Sequence, residues 1–260
     1  MPNLTFGPDK IYETEDGPRY LMTKDGLDKF NPHILGLGNL STPSKAIPAI
    51  AAVFDLEGFT YFCGQIEPQL SVPAYLNKFL TWLLEQIKTE TIRKAHEQGA
   101  ELWHPLPFFI KFMGDGLLIL WNASDIDPAQ ARNLVVSMNT ICDSYEDTLL
   151  PKINASIVAP PTGLRCGIAR GTVFSVGDEA DYIGSCINMA ARLQKLPGVS
   201  FALNRRGFEI DDEDAVDYFR DAIVTKKVNI RGIGSAELVC ILESDYAKMS
   251  ANDKASYKTP

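Results

Sequence analysis

Residues 108–121, "FFIKFMGDGLLILW", set a Gly-Asp-Gly between two runs of large apolar side chains, and the first run carries one lysine, Lys111. Apolar runs of this length joined by turn residues read as two paired strands buried in a sheet. That reading decides the fold, because it puts Gly114-Asp115-Gly116 at a hairpin tip and makes the flanking segments sheet partners or covering helices. Aspartate is at home in turns. A lysine inside a core strand, with an aspartate four residues on, also suits a polar site.

Working outward, "AIPAIAAVFDLEGFT" predicts a strand over about residues 49–55 that ends at Asp55. "SVPAYLNKFLTWLLEQIKTETIRKAHEQG" predicts one long helix, with Leu76, Phe79, Leu80, Leu83, Leu84 and Ile87 at helical spacing and Gly99 as its stop. Downstream, Asp127 reads as an N-cap and Pro128 as the first position of a second helix, lined by Leu134, Val135, Met138, Ile141 and Tyr145. "GLRCGIARGTVFSVG" reads as a strand, a turn at Gly171 and another strand; "DYIGSCINMAARLQKLPG" as a third helix. "AIVTKKVNIRGIGSAELVCILE" gives a last hairpin around Arg231-Gly232. The order β-α-β-β-α-β-β-α-β-β predicts an α+β domain with one mainly antiparallel sheet and packed helices, a ferredoxin-like core. It spans residues 47–244, after a polar, turn-rich N-terminal extension over 1–46 and before a C-terminal tail over 245–260.

Composition narrows the function. The 260 residues are 45% hydrophobic and 22% charged, ordinary globular usage, with a formal net charge of −8. An acidic chain has no general electrostatic grip on nucleic acid or an anionic membrane, though a local basic pocket remains open. No apolar run approaches a bilayer-spanning length, and the polar start is no signal peptide. Cys63, Cys142, Cys166, Cys186 and Cys240 are scattered, without zinc-type spacing, and read as reduced thiols of a cytoplasmic protein.

Two groups of residues carry chemistry. Asp55 at a strand end and Asp115 at a hairpin tip, brought together by sheet pairing, would form an oxygen-only site suited to Mg²⁺ or Mn²⁺; as turn or cap residues they need no ligand. In the third helix, Asp181, Asn188 and Arg192 recur at seven and four residues, so Asn188 and Arg192 share one stripe. That stripe reads either as a solvated face or as an anion contact.

Taken together, "FDLEGFT", "KFMGDG" and "DYIGSCINMAARL" resemble the three signature segments of class III nucleotidyl cyclases, in order and over residues 48–244. The resemblance implies a head-to-tail homodimer with active sites between subunits. It also implies two divalent cations, Mn²⁺ or Mg²⁺, and a nucleoside triphosphate substrate. Asp55, with the Leu56 carbonyl, and Asp115 match the metal ligands, and Lys111 and Asp181 the base-reading pair. Asn188 matches the ribose-positioning residue, Arg192 the transition-state arginine, and Arg231 the cation on the terminal phosphates.

Lys111 with Asp181 argues against GTP and suits ATP. Phe112 stands where a small residue is common; intruding on the base pocket it would favour a pyrimidine, and facing the core it would be packing. A cyclase domain with an extension and no evident sensor also resembles the bacterial pyrimidine cyclases of the Pycsar anti-phage system. The expectation is a uridylate cyclase whose cyclic UMP is read by a separate effector. The alternatives are an adenylate cyclase, a cytidylate cyclase or a non-catalytic homologue.

Overall fold

The computed structural model describes residues 10–65, 67–208 and 223–260. The chain divides into two compact units, Met1–Ala46 with Phe174–Ile183, and Ile47–Val173 with Gly184–Pro260.

In the first unit, β1 (Lys10–Thr14) and β2 (Gly17–Leu21) form an antiparallel hairpin, followed by the short helix α1 (Lys24–Asp28). Asp178 accepts the Asn39 amide N–H at 3.0 Å and the Thr42 hydroxyl at 2.7 Å, tying the two stretches of this unit together. Lys45 and Glu179 add an ion pair. Residues 1–9 of the expected extension lie outside the described residues.

The larger unit is built on one sheet. The sheet's strands are β3 (Ala46–Glu57), β6 (Phe109–Phe112), β7 (Gly116–Asn122), β8 (Gly163–Val176), β9 (Asp181–Gly184, of which Asp181–Ile183 belong to the smaller unit), β10 (Phe201–Asn204), β11 (Ile223–Ile230), β12 (Gly234–Leu242) and β13 (Tyr257–Lys258). Among the described residues they run in the order β13-β11-β12-β10-β8-β3-β7-β6, with β9 against β8. Only the β8–β10 pair is parallel among the registers determined, so the sheet is mainly antiparallel, as the pattern predicts.

The two faces of the sheet differ. Ile50, Ala52, Phe54 and Leu56 of β3 and Leu117, Ile119 and Trp121 of β7 share a core with helices α2 (Phe59–Cys63), α3 (Pro68–Thr91) and α4 (Pro128–Ser144), through Phe62, Tyr75, Phe79, Leu83, Leu134, Met138 and Ile141. Burial of each such side chain contributes about 1.5–3 kcal/mol. On the other face lies α6 (Ser185–Leu193), whose Cys186, Met189, Ala190 and Leu193 are buried. Its backbone rests directly on β8: a Cβ at Gly167 would stand 2.1 Å from the Ala190 carbonyl oxygen, so no larger residue fits.

Several boundaries differ from the sequence reading. The long helix ends at Thr91, because Ile92–His96 (β4) turns back on Gly99–Leu102 (β5) as a hairpin and Gly99 pairs with His96. The Arg93 guanidinium lies 5.1 Å over the Trp103 ring beside it. Strand β8 runs unbroken through Gly171, whose missing side chain makes room for α6 rather than a turn: a Cβ there would meet the Cys186 Cβ at 3.1 Å. The expected third helix begins only at Ser185, which leaves Asp181 on a strand. Helix α4 starts as expected, with a capping box between Asp127 and Gln130, but gives way after Ser144 to a π turn (Tyr145–Leu149) and α5 (Leu150–Asn154). Residues of the expected C-terminal tail form most of α7 (Glu243–Lys248), all of α8 (Ala251–Lys254) and β13, which extends the sheet beside β11. Four of the five cysteines are buried, and all are free thiols. No described helix is long and apolar enough to cross a membrane.

Candidate active site

The site grows from the β3–β7 pairing. In its antiparallel register Asp55 lies opposite Gly116, and the Leu56 N–H donates to the Asp115 carbonyl at 3.0 Å. Both glycines of the tip are required. Gly114 has φ +101°, a left-handed conformation costly for other residues, and a Cβ at Gly116 would fall 1.8 Å from the Phe54 carbonyl oxygen. The Met113 N–H closes the hairpin on the Gly116 carbonyl at 2.9 Å. Asp55 and Asp115 are thereby neighbours.

Asp55 is 6% exposed, and its Oδ2 accepts from Nη2 of Arg165, on β8, at 2.6 Å. Burial raises its carboxyl above the ordinary value. The Arg165 hydrogen bond and charge pull it down, Asp115 pushes it up, and Lys195 just past α6 pulls it down again. A buried carboxylate whose negative charge is only partly offset fits a cation ligand. Two carboxylates and a backbone carbonyl form an oxygen donor set suited to Mg²⁺, which takes one or two carboxylates and completes its shell with water and phosphate. No group of three or more His, Cys, Asp or Glu poised for a metal occurs among the described residues.

Arg165 escaped the sequence reading. Its signal was the one that singled out Lys111, a lone cation in an apolar strand ("GLRCGIA"), but without a register its carboxylate partner was invisible.

Register also separates Lys111 from Phe112. Lys111 pairs with Leu118, which pairs with Val53, two residues from Asp55; these side chains share the face on which α6 packs. Phe112 pairs with Leu117, which pairs with Phe54, so it projects on the opposite, α3/α4 face. It is 46% exposed because β6 is the last strand of the sheet. Within the chain, Phe112 is not brought to Lys111 and Asp55.

On α6, Asn188 and Arg192 lie one turn apart on the exposed stripe while the buried positions grip the sheet. The β11–β12 turn meets this helix: a Cβ on Gly232 (φ +78°) would lie 3.5 Å from Arg192 Nη2, so the Arg231-Gly232 turn and Arg192 are neighbours. Asp181 belongs to the smaller unit, where it accepts the Tyr182 N–H at 2.9 Å.

No protein-family model matches the sequence, and no curated protein does. Solved structures do. The chain superposes on the adenylyl cyclase CyaB from P. aeruginosa with a TM-score of 0.57 at 15% identity, covering 77% of this chain and 95% of that one. For the guanylyl cyclase Cya2 the values are 0.55, 17%, 76% and 93%. The catalytic core of a rhodopsin-guanylyl cyclase with converted specificity, in complex with ATPalphaS, gives 0.52, 17%, 77% and 98%. This is the class III nucleotidyl cyclase fold. In this chain, the end of β3 carries Asp55, the β6–β7 hairpin carries Asp115, and α6 carries the exposed Asn188 and Arg192.

Proposed function

We propose that the chain is a nucleotidyl cyclase, converting a nucleoside triphosphate to a 3′,5′-cyclic nucleotide and pyrophosphate in a metal-dependent reaction. The observation that carries this reading is the pairing of Asp55 with the Asp115 tip, on the sheet face that holds Lys111 and receives α6. In the reaction the ribose 3′-oxygen loses its proton and attacks the α-phosphorus, and the bond to the bridging oxygen breaks as pyrophosphate leaves.

Asp55 and Asp115, with the Leu56 carbonyl, would hold two divalent cations, Mg²⁺ or Mn²⁺. When bound, these supply Lewis acidity that eases ionisation of the 3′-hydroxyl and offsets phosphate charge. Arg165 donates to the Asp55 carboxylate, which orients it and favours its ionised form against burial. Asn188 positions the ribose; Arg192 and Arg231, adjacent at the β11–β12 turn, neutralise charge that builds on the phosphoryl and leaving groups. Two copies pair head to tail. One supplies Asp55 and Asp115, and the other supplies Lys111, Asp181, Asn188, Arg192 and Arg231.

The base we assign is uracil, read by a donor, Lys111, and an acceptor, Asp181. Uracil offers a carbonyl beside its N3–H. Adenine offers N1 beside its amino group, which the same donor and acceptor also match, so it is the second reading. The sequence resemblance to bacterial pyrimidine cyclases supports uracil, with the product read by a separate effector in the cytoplasm. Incubating the protein with each of the four triphosphates and Mn²⁺ tests both levels. Cyclic UMP is expected. Cyclic AMP as the main product overturns the base assignment alone, and no cyclic product from any triphosphate overturns the function.

A further inference from the structure

We propose that Asp178 is a positioning residue for base recognition: it clamps the β8–β9 turn to residues 37–42 of the N-terminal extension and so fixes where Asp181 stands. The inference rests on the cyclase reading above, in which Asp181 is the acceptor that reads the base.

Both halves of the clamp belong to the smaller unit, Met1–Ala46 with Phe174–Ile183. Asp181 lies three residues beyond Asp178, at the start of β9. The Asp178 carboxylate spends both oxygens on the extension. Oδ2 accepts the Asn39 N–H at 3.0 Å, and Oδ1 accepts the Thr42 hydroxyl at 2.7 Å. The Asp178 N–H donates in turn to the Leu37 carbonyl at 3.0 Å. The Asn39 and Thr42 bonds both favour the ionised carboxyl and hold it below its ordinary value.

The two backbones touch. A Cβ at Gly177 (φ +61°) would fall 1.7 Å from the Leu37 carbonyl oxygen, and one at Gly38 (φ +70°) would fall 2.2 Å from Asp178 Oδ2. Contacts continue on either side of the turn. Before it, the Lys45 N–H donates to the Ser175 hydroxyl at 2.9 Å, and the Ser44 hydroxyl donates to the Ser175 carbonyl at 2.7 Å. After it, Glu179 takes the Lys45 ammonium on one carboxylate oxygen and the Tyr182 hydroxyl, at 3.5 Å, on the other. Tyr182 is buried and adjoins Asp181 in sequence. Glu179 itself has φ +61°, a left-handed conformation that a residue with a side chain keeps only where its surroundings hold it.

A group that reads a base must hold its geometry to roughly 0.5 Å. The turn of a two-stranded hairpin does not supply that alone; tied to the extension at these points, it does. The extension thereby becomes part of the frame of base selection.

Steady-state kinetics of Asp178→Ala, with the triphosphate that the wild type prefers and with the next best, test the clamp. KM for the preferred substrate is expected to rise about fivefold, the scale of one lost hydrogen bond. Its kcat/KM advantage should fall to match, with little change in kcat. Asp178→Asn, whose amide can accept from Asn39 and donate to Thr42, should restore both values. Thr42→Val removes one bond from the extension side and should move KM in the same direction. A defect of folding alone lowers the active fraction, so kcat falls for every substrate while KM and the ratio stay fixed. That outcome overturns the proposal, as do wild-type KM values in both the Asp178→Ala and Thr42→Val proteins. In an Asp181→Ala background, Asp178→Ala should cost no further selectivity; an additive loss would show that Asp178 does not act through Asp181. These results leave the cyclase reading standing, whereas no cyclic product from the wild type overturns that reading and this proposal together.

Discussion

Arg165 governs the chemistry of Asp55. It donates at 2.6 Å to a carboxylate that burial raises above its ordinary value, and it is the largest influence opposing that rise. An aspartate ordinarily ionises near pH 4, so in the metal-free protein the Asp55 carboxyl is expected to titrate above that. Arg165→Ala removes a hydrogen bond and a positive charge, both of which favour the ionised form, so the metal-free titration profile should move further toward neutral pH. Measured profiles that coincide for the two proteins would show that Arg165 does not act through Asp55. Arg165→Lys, which keeps charge but not the planar fork, should lie between them.

At the scale of elements, α3 and the π turn after α4 are joined by a buried relay. The Tyr75 and Tyr145 hydroxyls are 2.9 Å apart, and Tyr145 donates to the Pro161 carbonyl at 2.7 Å, so Tyr75 is the donor to Tyr145. Burial raises both phenols, Tyr145 to about 12. Tyr145→Phe strands a buried donor on Tyr75 and an acceptor on Pro161, and should cost about 1–3 kcal/mol in denaturant unfolding; Tyr75→Phe should cost only about 1 kcal/mol. Equal costs would contradict the donor order. Elements with a strong local cause were legible in the sequence: the Asp127-Pro128 start of α4, the Gly-Asp-Gly tip and the β11–β12 turn all follow from capping or turn chemistry. Those that failed depend on distant partners. Gly171 looked like a turn because nothing local reveals that Cys186 will press against it, and Thr91 ends a helix because residues 99–102 return to pair with its continuation. In the candidate site the paired aspartates were visible as punctuation in apolar strands. Arg165 and the opposite facing of Lys111 and Phe112 required the register.

For the whole molecule, the proposed site is divided between two copies. Mixing inactive Asp115→Ala and Arg192→Ala chains should restore one intact site in each heterodimer, about a quarter of wild-type activity from an equal mixture at random pairing. No recovery from confirmed heterodimers would place all the chemistry within one chain. Sheet order has a further consequence, for assembly in time. Asp55 and Arg165 are 110 residues apart in sequence, whereas β3 meets β7 over a much shorter loop. On a ribosome, β3, α3 and the β6–β7 hairpin emerge before β8 exists. The two carboxylates therefore come side by side in the nascent chain with no arginine between them and solvent. Strand β8 arrives after β3 and β7, and with it the charge that accompanies Asp55 into the core.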